Sequence, residues 1–163
     1  MTETLLDLII KSPKETNPHI MFTNGFVGFN TFNNKELNNS FKTINHDYEI
    51  FNLYNNLLHD LSIEKENNWD YKYFKICFSY GLSKVFLNSY MKSLSKRLNK
   101  SEENIDIMVN SFNPGWCKTE MAGDKAPMTV EEGCLNAEYM DTFGVKEKKY
   151  TGLIFEKMKK FEF

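Results

Sequence analysis

The stretch that decides the fold is Ser79-Tyr80-Gly81-Leu82-Ser83-Lys84-Val85-Phe86-Leu87. It predicts the start of a helix that continues to about Leu98. Tyr80 and Lys84 are four residues apart, so on a helix they lie one turn apart on the same face. There a lysine ammonium stabilises the phenolate form of a tyrosine, which makes the two side chains a candidate proton-transfer pair. The spacing alone is a weak signal, because Tyr71 and Lys75 repeat it and an exposed helix face explains such pairs.

Length and charge limit the class of protein. At 163 residues the chain has the length of one domain that can bury a core. Its formal net charge is −2 and its basic residues are spread along the sequence, so no basic face for nucleic acid is expected. The longest apolar runs, such as Leu5 to Ile10, are far shorter than a membrane span. No signal peptide is evident either, so we expect a cytoplasmic protein that binds neither nucleic acid nor membrane.

The cysteines and histidines predict no metal site. Cys77, Cys117 and Cys134 are an odd number at wide spacing, which fits neither a disulfide framework nor a zinc site. They are expected to be reduced thiols, most of them buried. His46 and His59 have no Cys, Asp or Glu at a spacing typical of metal ligands.

Apolar spacing predicts the elements of the first half. A helix is expected from Met1 to about Ser12, and a buried strand of a parallel sheet from His19 to Thr23. An Asn-rich segment follows, in which helices are expected from Lys35 to Lys42 and from Tyr48 to Leu61. We interpret residues 28–75 as a variable insertion within a single domain, 1–163.

The second half predicts further strands and one more helix. Ile105 to Phe112 is expected to be a strand, broken by Asn113-Pro114. Thr129 to Glu132 has the form of a capping box and predicts a helix to about Asp141. A short strand from Thr151 to Phe155 and a charged tail complete the chain. A helix followed by a strand over a long connection favours parallel pairing, so the expected fold class is α/β.

Further motifs occur in register with Tyr80 and Lys84. An apolar helix reads Thr4-Leu5-Leu6-Asp7-Leu8-Ile9, and the first strand ends at Asn24-Gly25 with Gly28 beyond. About thirty residues after Tyr80 come Asn113-Pro114-Gly115-Trp116-Cys117-Lys118-Thr119-Glu120-Met121-Ala122-Gly123 and then Glu131-Glu132-Gly133. In this order the sequence resembles the short-chain dehydrogenase/reductase family, and most closely its monomeric, NADPH-dependent carbonyl reductases.

The resemblance implies a role for each matched residue. Tyr80 matches the general acid that protonates a carbonyl oxygen as hydride arrives from the nicotinamide. Lys84 matches the residue that holds the nicotinamide ribose hydroxyls and assists the tyrosine. Pro114, Gly115 and Thr119 match the loop that contacts the cofactor beside the nicotinamide. The resemblance therefore implies NADP(H) as cofactor and a small carbonyl compound as substrate.

The substrate side of the resemblance is less complete. Trp116 matches a residue that borders the substrate cleft, although a large side chain that caps the core is an equal alternative. The catalytic serine of the family would fall at Gly25. Asn24 is a candidate substitute donor, but neighbouring strand residues point in opposite directions. Loss of such a donor costs about 2.7–4 kcal/mol of transition-state stabilisation.

The resemblance covers only the C-terminal half of the family. It implies a partial Rossmann-like, three-layer fold in which a parallel sheet lies between helices, without the N-terminal strands and the glycine-rich turn that seats the pyrophosphate. What remains is the ribose and nicotinamide end of the cofactor site. The choice between NADP and NAD is not readable, because the residues that recognise the adenosine phosphate belong to the other half.

Three hypotheses stay open. The chain is an oxidoreductase whose other half is supplied from elsewhere, or a non-catalytic binding module, or an inactive truncated pseudoenzyme. The missing fourth strand would leave one edge of His19 to Thr23 open, and natural proteins cover such edges. Either a protein partner or self-association covers this edge, or the Asn-rich insertion folds over it, or the chain is only marginally stable on its own.

Overall fold

A computed structural model describes residues 1–11, 18–25, 34–63, 78–100, 107–142 and 150–161. Predictions for Gly28, Cys77, and the pair Tyr71 and Lys75 lie outside these residues. The elements in chain order are α1 (Thr2–Ile10), β1 (His19–Thr23), α2 (Lys35–Thr43), α3 (Asp47–Ser62), α4 (Phe78–Lys100), β2 (Met108–Asn113), α5 (Val130–Thr142), β3 (Ile154–Glu156) and β4 (Lys159–Phe161).

The strands form one sheet in the order β1-β2-β3-β4. The pairs β1–β2 and β2–β3 are parallel, and β4 pairs with β3 in the antiparallel sense. This is the predicted α/β class. Every residue of the central strand β2 is buried, whereas β1 is only half-buried. The prediction of a fully buried β1 is wrong, because β1 is the outermost strand of the described sheet.

Helices cover both faces of the sheet, which gives the predicted three layers. On one face Met91 and Leu94 of α4 pack with Val109 of β2, and side chains of α1 pack against this cluster. On the other face Met140 of α5 packs with Met108. Neighbouring residues of β2 thus point to opposite helices, as the period of a strand requires. Burying both faces keeps β2 out of water and fixes α4 relative to the strand ends.

The Asn-rich segment contributes the two predicted helices, α2 and α3. They pack against the first half of α4, where Phe41, Ile44, Leu57 and Val85 form a buried cluster. Arg97 of α4 also forms ion pairs with Asp47 of α3 and with Glu3 of α1. α4 is therefore the element on which the other described helices of the first half assemble.

The C-terminus differs from the sequence prediction. β3 begins at Ile154 rather than at Thr151, and the expected charged tail contains a further strand, β4. The turn between them places Lys157 and Met158 at φ of 50° and 58°. Two positive φ values are typical of a tight hairpin turn, but such turns usually carry Asn or Gly. Because those residues are absent from the turn, no hairpin was predicted there.

Candidate active site

One face of α4 lies along the carboxyl end of β1. Tyr80, Lys84 and Asn88 follow each other at intervals of four residues, and each meets a different residue of that end. The Tyr80 phenol lies against Gly25. Lys84 Nζ donates to the carbonyl oxygen of Thr23 at 3.1 Å, and Asn88 Oδ1 accepts a hydrogen bond from the Asn24 amide. The helix and the strand end are thus joined at three successive points.

Tyr80 and Lys84 are adjacent, as their spacing predicts. Lys84 Nζ lies 5.5 Å from the centre of the Tyr80 ring, a distance at which an ammonium and an aromatic face attract each other. Tyr80 is 50% exposed, so part of its side chain is accessible from outside the protein. Partial burial lowers the pKa of Lys84 from its ordinary value. An ammonium has three N–H groups, and among the described residues only Thr23 accepts one of them.

Gly25 leaves an open position beside the phenol. A Cβ atom built on Gly25 would lie 2.8 Å from the Tyr80 hydroxyl oxygen. A serine here would therefore place its hydroxyl next to the phenol, at the position where the resemblance implies a catalytic serine. The glycine offers only its backbone, and its N–H donates to Asn24 Oδ1 at 2.8 Å.

Asn24 is buried inside the protein, with 2% of its surface exposed. Its Nδ2 donates to Asn88 and its Oδ1 accepts from Gly25. Ser111 of β2 also donates to Asn88 Oδ1, at 3.0 Å. Each end of the Asn24 amide therefore has a protein partner, and its role in substrate binding stays a prediction. The reasoning from sequence missed Asn88 and Ser111, although Asn88 continues the four-residue spacing of Tyr80 and Lys84.

The loop after β2 begins with a turn that requires glycine. Gly115 has a φ of +83°, and its N–H donates to Asn113 Oδ1 at 2.9 Å. A Cβ atom at Gly115 would lie only 2.4 Å from the sulfur of Met128. The loop then folds back on itself, because Lys118 N–H donates to the carbonyl oxygen of Met128 at 2.8 Å. The segment 114–128 is thus a closed loop rather than an extended connection.

The predicted loop residues lie at its surface. Trp116 is 54% exposed, so the alternative in which it caps the core is wrong. Pro114 is half-buried, and both Gly115 and Thr119 are exposed. The Thr119 hydroxyl accepts a hydrogen bond from the N–H of Ala122 at 3.2 Å. These side chains are accessible to a ligand, while their roles stay predictions.

α5 packs against this loop. Thr129 and Glu132 form the predicted capping box, with their side chains bonded to each other's backbone N–H at 3.2 and 2.7 Å. A Cβ atom at Gly133 would lie 2.3 Å from Cys117 Sγ and 3.1 Å from the carbonyl oxygen of Pro114. Glycine is therefore needed for α5 to approach the loop. Cys117 is half-buried and Cys134 exposed, so the prediction of buried thiols is wrong for these two.

The two parts of the predicted site lie at one edge of the sheet. Thr23 is opposite Phe112, and the N–H of Asn24 donates to the carbonyl oxygen of Phe112 at 2.7 Å. The end of β1, which carries the contacts of Tyr80 and Lys84, is thus beside the end of β2, where Pro114 begins the loop. Ligands of open α/β sheets bind at this carboxyl edge.

Comparison with solved structures finds the same fold in salutaridine reductase from Papaver somniferum. The TM-score is 0.74, with 22% identity over 94% of this chain and 49% of that chain. In sequence, carbonyl reductase (NADPH) 1 of Mus musculus is 29% identical over 94 residues, which are 56% of this chain and 32% of that protein. Carbonyl reductase (NADPH) 3 of Rattus norvegicus is 36% identical over 62 residues. The resemblance to the short-chain dehydrogenase/reductase family is confirmed.

The similarity covers only part of the length of each relative. The chain spans about half the length of salutaridine reductase, and it matches 32% and 22% of the two carbonyl reductases. No protein-family model matches it. In the part of the chain that the structure describes, no helix is long and apolar enough to cross a membrane, and no three His, Cys, Asp or Glu side chains are grouped as metal ligands.

Proposed function

We propose that this chain forms the proton-donor side of an NADPH-dependent carbonyl reductase of the short-chain type. The observation that supports it is the arrangement of Tyr80 and Lys84 against the end of β1, beside the loop that begins at Pro114. The pyrophosphate end of the cofactor would be bound by residues outside these 163, in a longer form of the protein or in a second chain.

Tyr80 is the general acid of this proposal. The hydroxyl of this half-exposed residue donates a proton to the carbonyl oxygen of the substrate. The Lys84 ammonium, 5.5 Å from the ring centre, stabilises the phenolate that remains. In this proposal, the N–H groups of Lys84 that Thr23 does not use donate to ribose hydroxyls. When bound, the nicotinamide supplies the hydride.

The loop after β2 forms the adjoining wall in this proposal. Gly115 is exposed and has no side chain, so its backbone can approach the cofactor closely. The exposed Thr119 hydroxyl is a donor for the same ligand, and the Trp116 indole offers an apolar surface to a carbonyl substrate. The residues present thus fit the ribose and nicotinamide end of the cofactor.

An alternative function is favoured by two other observations. Gly25 provides no hydroxyl where the resemblance implies a serine, and such a loss lowers a rate about a hundred- to thousand-fold. In the described sheet, the outer edge of β1 has no neighbouring strand. Both fit a non-catalytic binding module, or an inactive pseudoenzyme, whose β1 edge meets a protein partner or a second copy.

The test is reduction of a panel of small aldehydes, ketones and quinones by the full chain with NADPH. The reductase proposal predicts slow turnover that Tyr80→Phe reduces by about a hundredfold or more. Tyr48→Phe is the matched control, because Tyr48 is an exposed tyrosine on α3. Turnover that Tyr80→Phe leaves unchanged would contradict the role of Tyr80. NADPH binding without turnover would favour the non-catalytic alternative.

A further inference from the structure

A cavity of about 410 Å³ lies beside the C-terminal half of α4, away from the candidate active site. Four lysines line it: Lys42 of α2, and Lys92, Lys96 and Lys100 of α4. None of the described residues that line it is acidic. A concave site of this size with one sign of charge is a candidate for a charged ligand.

The lysines repel one another. Burial, with the nearby charges of Lys96 and Lys42, lowers the pKa of Lys92 to about 8. Lys96 Nζ donates to the carbonyl oxygen of Ile44 at 3.1 Å and to Asn45 Oδ1 at 2.6 Å. Both acceptors are neutral, so these bonds position the ammonium, and the Glu49 carboxylate interacts with its charge from outside the lining of the cavity. An anion in the cavity would relieve the repulsion.

Hydroxyl groups complete the lining. Ser95 Oγ and Thr151 Oγ1 lie 3.2 Å apart, and Thr151 Oγ1 accepts the N–H of Val109 in β2 at 3.0 Å. Gly152 has a φ of +73°, and a Cβ atom there would lie 2.8 Å from Ser95 Oγ. The glycine therefore lets residues 151–152 approach α4 closely. The hydroxyls are held between the helix and the sheet, so this part of the cavity is preformed.

We propose that this cavity binds a small molecule that carries phosphate groups. Lysine binds phosphate as a point charge, and a di- or trivalent anion offsets several ammonium groups at once. The volume of about 410 Å³ is in the range of small-molecule sites. Lys92 lies twelve residues after Tyr80, about 18 Å along the helix axis. The site is therefore separate from the candidate active site and does not depend on the proposed reductase function.

The test is calorimetric titration of the full chain with inorganic pyrophosphate at neutral pH and moderate salt. We expect saturable binding with a Kd below about 1 mM, and sulfate should bind more weakly because it carries less charge. Lys92→Met keeps most of the aliphatic stem and should weaken binding about tenfold. Lys100→Met changes an exposed residue and should weaken it severalfold without affecting folding. Lys118→Met removes an exposed charge from the loop after β2 and should leave the Kd within about twofold.

Thermal unfolding provides a second measurement. Lys92→Met should raise the melting temperature of the ligand-free protein, since it removes a partly buried charge, and should reduce the increase that pyrophosphate causes in the unaltered chain. The proposal is overturned if pyrophosphate does not bind, if Lys92→Met and Lys100→Met bind it as tightly as the unaltered chain, or if Lys118→Met weakens it equally. Binding restricted to polymeric anions such as polyphosphate would also overturn it.

Discussion

Position 25 determines how well the candidate site can stabilise a substrate carbonyl. Gly25 lies against the Tyr80 phenol, and a side chain there would share the same space. Gly25→Ser is expected to raise carbonyl reduction about a hundred- to thousand-fold in the presence of a complete cofactor site, because the hydroxyl would donate to the developing oxyanion. The phenol is the flexible end of a half-exposed side chain, so a small shift accommodates the new Cβ.

Gly25→Ala is the matched control for this prediction. It introduces the same Cβ atom, which would lie 2.8 Å from the Tyr80 hydroxyl without rearrangement, but no hydrogen-bond donor. Steady-state rates should therefore rise for serine and not for alanine. Equal rates for the two variants would mean that position 25 does not face the reacting carbonyl.

His19 is expected to make stability depend on pH. Leu153 N–H donates to Asn110 Oδ1 at 2.9 Å, so Asn110 Nδ2 faces His19 Nε2 at 3.0 Å and the ring proton lies on Nδ1. Nδ1 is buried without a partner in the described part of the chain. Burial lowers the pKa of His19 to about 4, and the charge of Asp141 opposes this shift. The folded protein therefore holds a neutral histidine.

The unfolded chain binds a proton at His19 near pH 6.5, whereas the folded chain does so only near pH 4. Stability should fall as the pH drops through that window and should level off below it. We expect a loss of about 1–2 kcal/mol from this residue, reduced from the full shift because the ring is partly exposed. Urea unfolding at several pH values measures how the free energy of unfolding changes with pH. The unaltered chain and His59→Gln should show the same decrease at low pH, and His19→Gln should show a smaller one. Equal decreases in all three would exclude His19 as the cause.

Single residues were predictable from sequence where spacing alone fixes the geometry. Tyr80 and Lys84 share a face because helix periodicity requires it, whereas the contact of position 25 with the phenol became visible only in the structure. Asn88 and Ser111 were not predictable, because their burial depends on how α4 lies across the ends of two strands. The four-residue spacing places Asn88 on the same helix face as Tyr80 and Lys84, but spacing alone does not show which residues that face contacts.

At the level of elements, Gly133 determines how α5 supports the loop after β2. A glycine-to-alanine change inside a helix normally stabilises it by about 1 kcal/mol. Here we expect Gly133→Ala to destabilise the protein by about 1–3 kcal/mol, because the new Cβ would lie 2.3 Å from Cys117 Sγ. Thermal or denaturant unfolding measures the sign directly.

Cys117→Ala combined with Gly133→Ala is the control for that clash. The double variant lacks the sulfur, while the 3.1 Å approach to the carbonyl oxygen of Pro114 remains. It should recover part of the lost stability, so the two changes should be coupled in a double-mutant cycle. An increase in stability from Gly133→Ala alone would mean that α5 is farther from the loop than the structure places it.

Elements with strong apolar periodicity or a capping box were predicted within a few residues. The helices α2, α3, α4 and α5 belong to this group. The hairpin of β3 and β4 was missed, because Lys157 and Met158 take positive φ values without the usual turn residues. Tertiary packing overrode local preference at that turn.

At the scale of the whole molecule, the class and layers of the fold were predictable. The neighbour that pairs with the outer edge of β1 was not. Parallel pairing followed from the order of helices and strands, and the pairs β1–β2 and β2–β3 confirm it. The chain spans about half of salutaridine reductase, and β1 is the outermost strand of the described sheet. Whether another segment, another chain or a second copy pairs with β1 depends on surfaces that pattern and spacing do not encode.

The central claim is that this chain provides a binding surface for the ribose and nicotinamide end of the cofactor. Reduced nicotinamide mononucleotide contains that end and lacks the adenosine part, so it tests this half of the site alone. Titration of the ¹⁵N-labelled chain, followed by NMR, should shift the amide signals of Gly25, Gly115 and Thr119. Lys84→Met should abolish the shifts, while Lys159→Met, which changes an exposed lysine on β4, should preserve them. No shifts at these residues, or shifts unaffected by Lys84→Met, would contradict the account.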